Sequence, residues 1–326
     1  MNNEQHPKFA PTEDIDSVIG AELVVGSSLW RDAWRRLLKN KLAVLGMIVV
    51  VVIVLAAVIG PTIIQRATGY AYDVIPKDTR LNKSFPPFRS PEGGFSWMQP
   101  MGTDNAGRDI LARVLSGGQI SLMVALIATL VSLVIGVSYG AIAGYVGGRI
   151  DDVMMRVVDV LYSLPYVIIV IVLLALLPAK TPTGQLAELF FALGAVSWLT
   201  MARIVRGQVM SLKNQDFILA ARATGVSTPK IIFRHLVPNA LGPVIVYATL
   251  TIPSVMLSEA FLSFLGLGVR PPRVSWGSLA ADGAQTLAIF PWQLIFPGVT
   301  MALMLLSLNF LGDGLRDALD PQMRKQ

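Results

Sequence analysis

Very few side chains in this sequence could carry out covalent or metal chemistry. Its 326 residues include no cysteine and only two histidines, His6 and His235. A chain without thiols forms no disulfide and no thiolate metal site, and two histidines so far apart do not make a zinc ligand set. We therefore predict no catalytic residue and no metal site in this chain.

One pentapeptide points to nucleotide chemistry. Residues 115–119 read LSGGQ, a signature of ATP-hydrolysing ABC subunits. A nucleotide site also needs a GxxxxGK[ST] loop, whose backbone N–H groups and lysine hold the phosphates, and the sequence contains none. The pentapeptide also leads directly into an uncharged stretch long enough to cross a membrane. We interpret LSGGQ as a coincidence and expect this chain neither to bind nor to hydrolyse ATP.

The composition is that of a membrane protein. Hydrophobic residues make up 53% of the chain, charged residues 15%, and the mean hydropathy is +0.60. Soluble domains carry about a quarter charged residues. The net charge of the chain is +6. In a membrane protein such an excess of Lys and Arg usually lies in the cytoplasmic loops, so it does not by itself indicate nucleic-acid binding.

Six stretches are apolar and long enough to cross a bilayer as helices, which takes about 20 residues each. The predicted fold class is therefore all-α, a polytopic membrane protein with six transmembrane helices. The six stretches are Leu42–Gln65, Gln119–Tyr145, Val160–Ala179, Leu186–Ala202, Leu236–Ser258 and Phe290–Gly312.

These stretches divide the chain into three parts. Residues 1–41 are predicted to be a cytoplasmic tail, disordered up to residue 26, with an amphipathic helix at about 29–41. Residues 42–315 hold the six spans, with a proline-rich outer loop at 66–113 and a cytoplasmic loop at 207–239. Residues 316–326 form a cytoplasmic tail. Both termini are placed inside because that orientation puts 17 Lys and Arg residues in the cytoplasm and 10 outside.

The segment before the first span has two distinct faces. In a helical projection of residues 29–41, Trp30, Trp34 and Leu37 share one face, and basic residues occupy the other. Tryptophans opposite basic side chains favour a helix that lies in the lipid headgroup region. A helix packed on a partner protein is the alternative.

A polar segment between two apolar stretches, Asp216–Asn239, predicts two short helices joined by a turn. Phe217–Thr224 is rich in Ala and Leu, and Asp216 is placed to cap its helix. Gly225 readily takes the left-handed conformation that ends a helix. Thr228-Pro229 then supplies a hydroxyl for a cap and a proline for the first helical position. From the residues alone, a solvated connection between spans explains this segment equally well.

This segment resembles the cytoplasmic signature loop of ABC-importer permeases. The matching residues are Ala220, Ala221, Gly225 and Pro238, whereas Leu219 occupies a position that is acidic in the family. In that family the loop forms a coupling helix in a groove of the ATP-hydrolysing subunit. The resemblance implies an ATPase contact, without the salt bridge of the acidic residue, that involves Asp216, Phe217, Leu219, Ala220, Ala221, Arg222, Gly225 and Pro238.

Four further boxes are similar to one branch of these importers, the peptide/nickel-type permeases, and specifically to their second (C-type) subunit. They occur in that family's order and cover most of the chain from residue 29 to residue 321. The boxes are Gly102-Thr103-Asp104 with Gly107-Arg108-Asp109; Asp152, Arg156, Asp159 and Pro165; Phe264–Gly268 with Pro271-Pro272 and Trp276-Gly277; and Gly312–Pro321.

The resemblance implies a set of partners and a location. The chain is expected to form half of a translocation pathway with a homologous permease subunit, and to work with two ABC ATPase subunits and an extracytoplasmic binding protein. ATP and Mg²⁺ are expected on the ATPase subunits, with no cofactor bound by this chain and no nucleic-acid partner. The expected location is a bacterial inner membrane, with both termini in the cytoplasm.

The cargo implied by the resemblance is a dipeptide or oligopeptide. A nickel chelate, glutathione or an oligosaccharide carried by the same machinery is the alternative, and the sequence identifies no substrate-binding residue. A secondary transporter is a second alternative, but such proteins usually place ionisable residues deep in the membrane. Here Glu188 and Glu259 lie near the ends of predicted spans. A membrane scaffold without transport activity would not need the turn at Gly225.

Two patterns in these boxes predict architecture. The charged residues of the first box have the spacing to fix a turn beside the second span through charge-assisted contacts. Glycines that recur every four residues on that span allow another helix to approach closely. The charged residues are Asp104, Arg108 and Asp109, and the glycines are Gly136, Gly140 and Gly144.

The topology can be tested with reporter fusions. Fusions made after residues 90 and 230 are expected on opposite sides of the membrane, with the second in the cytoplasm, because the Lys and Arg asymmetry orients the spans. Paired phosphatase and fluorescent-protein reporters measure the two positions. If both fusions report from one side, the six-span arrangement is wrong.

Overall fold

The structure is a computed structural model that describes residues 29–319 apart from 70, 77, 79–82, 90–93, 178 and 180. The predicted disorder of residues 1–26 and most of the predicted C-terminal tail lie outside these residues. In the described part, the regular secondary structure is helical, and two isolated β-bridges occur in addition. The all-α fold class is therefore confirmed.

The helices follow one another through short connections, apart from the long segment between the second and third. In chain order they are α1 (Leu29–Lys39), α2 (Lys41–Thr68), α3 (Ile110–Val146), α4 (Gly148–Ser163), α5 (Tyr166–Leu176), α6 (Pro182–Leu212), α7 (Asp216–Ala223), α8 (Thr228–Lys230, then a π-helical turn Ile231–Leu236, then Val237–Asn239), α9 (Leu241–Phe264), α10 (Trp276–Gln285) and α11 (Trp292–Leu319).

Five described helices are long and apolar enough to cross a membrane: α2, α3, α6, α9 and α11. They confirm five of the predicted spans, although the boundaries differ. The clearest difference is α6, which continues to Leu212, ten residues beyond the predicted end at Ala202. A sixth span exists only if α4 and α5 are counted as one bent element.

The third predicted span, Val160–Ala179, is wrong as a continuous helix. Helix α4 ends at Ser163 and α5 begins at Tyr166, with a bend of 92° between them. Pro165 has no N–H to donate and disfavours helical geometry at the residue before it. Leu164 accordingly takes an extended conformation, with φ −83° and ψ 141°. Apolar composition runs through this point, so hydropathy alone does not reveal the break.

Helices α3 and α6 form the most extensive helix pair among the described elements. A Cβ atom added to Gly136 would lie 2.6 Å from the Cβ of Met201, and one added to Gly144 would lie 2.7 Å from the carbonyl oxygen of Arg206. At Gly140 it would overlap the carbonyl oxygen of Ala202. The predicted close approach of a helix to these glycines is confirmed.

The LSGGQ pentapeptide lies inside α3, where its glycines face the start of α10. A Cβ on Gly118 would lie 2.8 Å from the Cζ2 atom of Trp276, and one on Gly117 would lie 3.2 Å from the backbone of Ser275. The indole Nε1 of Trp276 donates a 2.8 Å hydrogen bond to the carbonyl oxygen of Val114. These glycines therefore make room for a buried tryptophan.

Helix α1 is shorter than predicted by two residues and ends at Lys39. Its Ala33 and Leu37 are buried in a small cluster with Ala318 of α11. Trp34 remains 53% exposed. The side chain of Asn40 then accepts hydrogen bonds from two backbone N–H groups and caps α2. The two-faced helix is confirmed, with part of its apolar face packed on the chain itself.

The α3–α6 contact predicts different responses to the same substitution at two glycines. Gly140→Ala is expected to destabilise the protein by about 1–3 kcal/mol, because the added methyl group meets a backbone carbonyl that cannot rotate away. Gly298→Ala in α11 is the control, since a Cβ there meets nothing within 4 Å. Thermal unfolding of the detergent-solubilised protein measures both. Equal unfolding temperatures for the two variants would contradict the packing argument.

Candidate coupling site

The turn after α7 has the hydrogen-bond pattern of a Schellman motif. The N–H of Gly225 donates to the carbonyl oxygen of Arg222, and the N–H of Val226 donates to that of Ala221. Gly225 has φ +76°, in the left-handed region that this motif requires and that glycine adopts without strain. The prediction that Gly225 ends the first short helix is confirmed.

The predicted helix starts are wrong by one residue. Asp216 is the first residue of α7 and does not cap it; the cap position belongs to Gln215, whose side chain makes no capping hydrogen bond. Thr228 is likewise the first residue of α8, after Ser227. Asp216 still lies in the first turn, where the partial positive charge of the helix N-terminus favours a carboxylate.

One face of α7 is buried against the neighbouring helices α6 and α8. Ile218 is fully buried, and Ala221 is 9% exposed. Both belong to a cluster that includes Val205 and Val209 of α6 and Ile231 of α8. This corrects the expectation for Ala221, because its side chain packs within its own chain and does not face outward.

The opposite face of α7 carries exposed apolar side chains. Phe217 is 38% exposed and Leu219 is 48% exposed. The other expected contact residues, Asp216, Ala220, Arg222, Gly225 and Pro238, are also exposed. Seven of the eight residues expected at a partner contact are therefore accessible, and the two large apolar side chains lie at opposite edges of the exposed part of this helix.

One contact ties α7 itself to the end of α3, and two more fix α6 and the residue after it to α3 and α4. The Nζ of Lys213 donates a 3.0 Å hydrogen bond to the carbonyl oxygen of Gly144. The guanidinium of Arg222 lies 5.0 Å from the ring centroid of Tyr145. About two turns earlier on α6, Arg206 makes two 2.6 Å hydrogen bonds to the carboxylate of Asp151. The segment is thus held to α3 through Arg222 and Lys213, and the part of α6 that precedes it is held to α4 through Arg206.

The sequence did not predict the Arg206–Asp151 pair, although Asp151 directly precedes the second box, which begins at Asp152. Asp151 is buried, whereas Asp152 and Arg156 of that box are exposed. Asp159 pairs with Arg203 at 2.8 Å. Both ion pairs join α4 to α6, and the eight-residue spacing of Asp151 and Asp159, about two helical turns, was the available signal.

The first box forms the turn that was predicted beside the second span. The Nε of Arg108 lies 2.7 Å from the Oδ2 of Asp104, while Oδ1 of Asp104 accepts two backbone hydrogen bonds. Asp109 caps α3 by accepting from the N–H of Leu111. Burial raises the pKa of the Asp109 carboxyl to about 6. The box holds the N-terminal end of α3, whereas Lys213 and Arg222 contact its C-terminal end at Gly144 and Tyr145.

Glu259 lies in the last two turns of α9, near the helix end as expected, but it is 1% exposed. Its Oε1 accepts hydrogen bonds from the hydroxyls of Ser263 and Ser275, at 2.8 Å and 2.6 Å. Ser275 caps α10, so this carboxylate joins two helices at the end of the bundle. The partners are 4 and 16 positions away, and no sequence motif marked them.

The described residues contain no group of three or more His, Cys, Asp or Glu side chains that could hold a metal ion. Five acidic residues discussed above are paired with arginine, hydroxyl or backbone groups: Asp104, Asp109, Asp151, Asp159 and Glu259. Their chemistry is structural.

The comparisons with known proteins agree with this arrangement. Residues 136–325 match the family described as "Binding-protein-dependent transport system inner membrane component". Residues 28–87 match the "N-terminal TM domain of oligopeptide transport permease C". The chain belongs to the family of inner-membrane components of binding-protein-dependent transport systems. It is thus a multi-pass inner-membrane subunit of an ABC transporter that works with ATPase and binding-protein partners, and it is not itself the ATPase.

Several relatives are similar over nearly the whole chain. The chain is 51% identical over 302 residues to the oligopeptide transport system permease protein OppC of Escherichia coli (strain K12), covering 92% of this chain and 94% of that one. It is 42% identical over 298 residues to OppC of Bacillus subtilis (strain 168), covering 91% of each. The dipeptide transport system permease protein DppC of Bacillus subtilis (strain 168) is 42% identical over 299 residues, covering 91% of this chain and 87% of that one.

One group of solved structures shares the fold. A chain of the MetNI methionine ABC transporter in an inward-facing conformation superposes with a TM-score of 0.50 at 21% identity. The match covers 64% of this chain and 96% of that chain. At this identity, the likeness concerns the fold alone.

The two faces of α7 predict opposite outcomes for neighbouring alanines. Ala221→Glu is expected to lower the stability of this chain by several kcal/mol, because it places an unpaired charge in a packed apolar cluster. Ala220→Glu is the control on the exposed face and is expected to leave stability unchanged. Thermal unfolding of each variant without partner subunits measures the difference. An Ala221→Glu variant as stable as Ala220→Glu would show that α7 does not pack as described.

Proposed function

We propose that this chain is the second permease subunit of an ATP-driven peptide importer in a bacterial inner membrane. It pairs with a homologous permease to form the translocation pathway, and two ATPase subunits bind on the cytoplasmic side. An extracytoplasmic binding protein delivers the cargo. ATP and Mg²⁺ bind to the ATPase subunits and no cofactor binds to this chain, whose termini both lie in the cytoplasm.

The proposal for peptides is supported by the relatives. The OppC and DppC proteins that this chain resembles are named as oligopeptide and dipeptide transport system permeases. Their similarity extends over nine-tenths of the chain and therefore includes the spans that would line a pathway. This evidence favours peptides over nickel chelates, glutathione or oligosaccharides, and membership of an ABC family argues against a secondary transporter.

The coupling role is supported by the two different faces of α7, one exposed and one buried. Its outer face presents Phe217, Leu219 and Ala220 to a partner, and its inner face is locked to α6 and α8 through Ile218 and Ala221. Contiguous exposed apolar patches mark protein interaction sites, and Phe217 and Ala220, three residues apart, are neighbours on this face. A displacement imposed on the outer face is passed directly to the spans, because a close-packed cluster resists compression.

The mechanism then follows from rigid-body movement. When the ATPase subunits close, they displace α7, and the Schellman turn at Gly225 keeps α7 and α8 in one relative orientation. The contacts of Lys213 with α3 and of Arg206 with α4 carry the displacement into the membrane. The two permeases rock, and the pathway between them opens to the other side.

Gly225→Val tests the coupling role. A β-branched residue in the left-handed conformation costs about 1–2 kcal/mol, so the turn is expected to change geometry. No atom within 4 Å would clash with the new side chain, and the spans are unchanged. We expect membrane insertion and pairing with the sister permease to persist. Copurification of the ATPase subunits, ATP hydrolysis stimulated by the binding protein, and peptide uptake in proteoliposomes are all expected to fall sharply.

Two further variants separate the possible causes. Gly242→Val makes the same chemical change outside the loop, at an uncrowded glycine that does not have a positive φ. Coupling is expected to stay at the wild-type level in this variant. Ala220→Glu leaves the fold intact but adds a charge to the outer face, and ATPase copurification is expected to be lost. If Gly225→Val and Ala220→Glu both couple normally, the segment is only a connector between spans.

A further inference from the structure

A cavity of about 660 Å³ lies where α4 and α5 are interrupted. Its walls come from the break at Ser163–Tyr166, from residues 196–200 of α6 and from residues 247–258 of α9. Both stretches fall near the middle of their spanning helices, so the cavity lies at about mid-depth in the membrane. Tyr162 and Leu164 at its edge are 53% and 51% exposed, and the cavity therefore opens at the surface of this chain.

The lining of this cavity is rich in hydroxyl groups and, among the described residues, includes no charged side chain. A purely lipid-facing surface at this depth would be apolar, because hydroxyl groups there gain nothing from lipid tails. A volume of this size is also within the usual range for small-molecule sites, about 300–1,000 Å³. The cavity therefore has the polarity of a wetted passage and not of a membrane surface.

The hydroxyl protons of five lining side chains are already used within their own helices. Each donates to a backbone carbonyl oxygen three or four residues earlier, which leaves the oxygen lone pairs as the free hydrogen-bonding capacity. These side chains are Ser163, Ser197, Thr251, Ser254 and Ser258, at donor–acceptor distances of 2.7, 2.8, 2.8, 3.2 and 2.9 Å. The cavity therefore offers mainly uncharged acceptors.

Tyr166 supplies the complementary group. Its hydroxyl is buried and lies near the hydroxyls of Ser197 and Ser258. It makes no hydrogen bond of standard geometry with any residue that the structure describes, so these two hydroxyl groups are close neighbours that leave its proton available. A buried hydroxyl that lacks a partner costs about 1–3 kcal/mol, and a ligand carbonyl oxygen in the cavity would satisfy it as an acceptor. The cavity thus combines several acceptors with one available donor.

We propose that this cavity is a peptide-contacting subsite of the translocation pathway and that it recognises the main chain of the cargo. The acceptors on α6 and α9 receive peptide N–H groups, and Tyr166 donates to a peptide carbonyl. Because the lining holds no charge, the subsite does not select the charge of cargo side chains. The inference rests on the proposed function, since it assigns residues to a peptide pathway.

The absence of cysteine in this chain allows a direct test. Ser254→Cys places one thiol in the cavity, and the complex with the sister permease and ATPases is labelled in nanodiscs with a charged maleimide. We expect labelling, because a charged reagent and a thiolate meet only in water. The labelling rate is expected to fall about threefold with trialanine at twice its dissociation constant. N-methylated trialanine, which lacks the amide N–H groups, is expected to protect less.

Ser211→Cys at the exposed end of α6 is the control, and its labelling is expected to be independent of peptide. Labelling is read on this chain alone by intact-mass spectrometry, so thiols of the partners do not interfere. A Ser254→Cys thiol that stays unlabelled, or one that is labelled equally with and without trialanine, overturns the subsite. Equal protection by the N-methylated peptide overturns main-chain recognition.

A second measurement concerns Tyr166. Tyr166→Phe is expected to raise the KM for peptide uptake by about three- to tenfold, as for the loss of one hydrogen bond, with ATPase assembly unchanged. Tyr139→Phe is the matched control, because the Tyr139 hydroxyl donates to the carbonyl oxygen of Met154 outside the cavity. An unchanged KM for Tyr166→Phe contradicts the assigned donor. Failure of the wild-type complex to take up any peptide would instead reject the proposed function.

Discussion

The close approach of α3 and α6 is the contact on which the rest of this structure depends. In a bilayer the hydrophobic effect does not drive helices together, so association relies on packing between backbones. Gly136, Gly140 and Gly144 remove the side chains that would hold the two helices apart, and the carbonyl oxygens of Ala202 and Arg206 fill the space. This pair provides the rigid surface against which the shorter and more polar elements are placed.

The position of α7 follows from that contact. Arg206 has its backbone against Gly144, which leaves its side chain free to reach Asp151 on α4. Val205 and Val209, on the same stretch of α6, form the floor on which Ile218 and Ala221 pack. One segment of α6 therefore contacts α3, the broken span and α7. A membrane protein with weaker α3–α6 packing would have no fixed base for α7.

The sequence predicted those features whose physical cause is local. Apolar length revealed five spans, the glycine spacing revealed a close helix contact, and Gly225 was identified because few residues other than glycine take positive φ readily. Features that need two distant parts of the chain could not be predicted. Arg206 and Asp151 are 55 positions apart, and the inward direction of Ala221 depends on where α6 lies. The break at Pro165 had a local signal, but the surrounding apolar residues concealed it.

The break between α4 and α5 creates a cavity that a straight span would not leave. A continuous helix through residue 165 would satisfy its own backbone and would present an apolar surface to its neighbours. The 92° bend instead opens space beside the hydroxyl-bearing middle of α6 and α9. Because Asp151 and Asp159 fix α4 to α6 through Arg206 and Arg203, the bend is tied to the helix that also supports α7. A movement of α7 would therefore be passed to the cavity through α6, which links the proposed ATPase contact to the proposed passage.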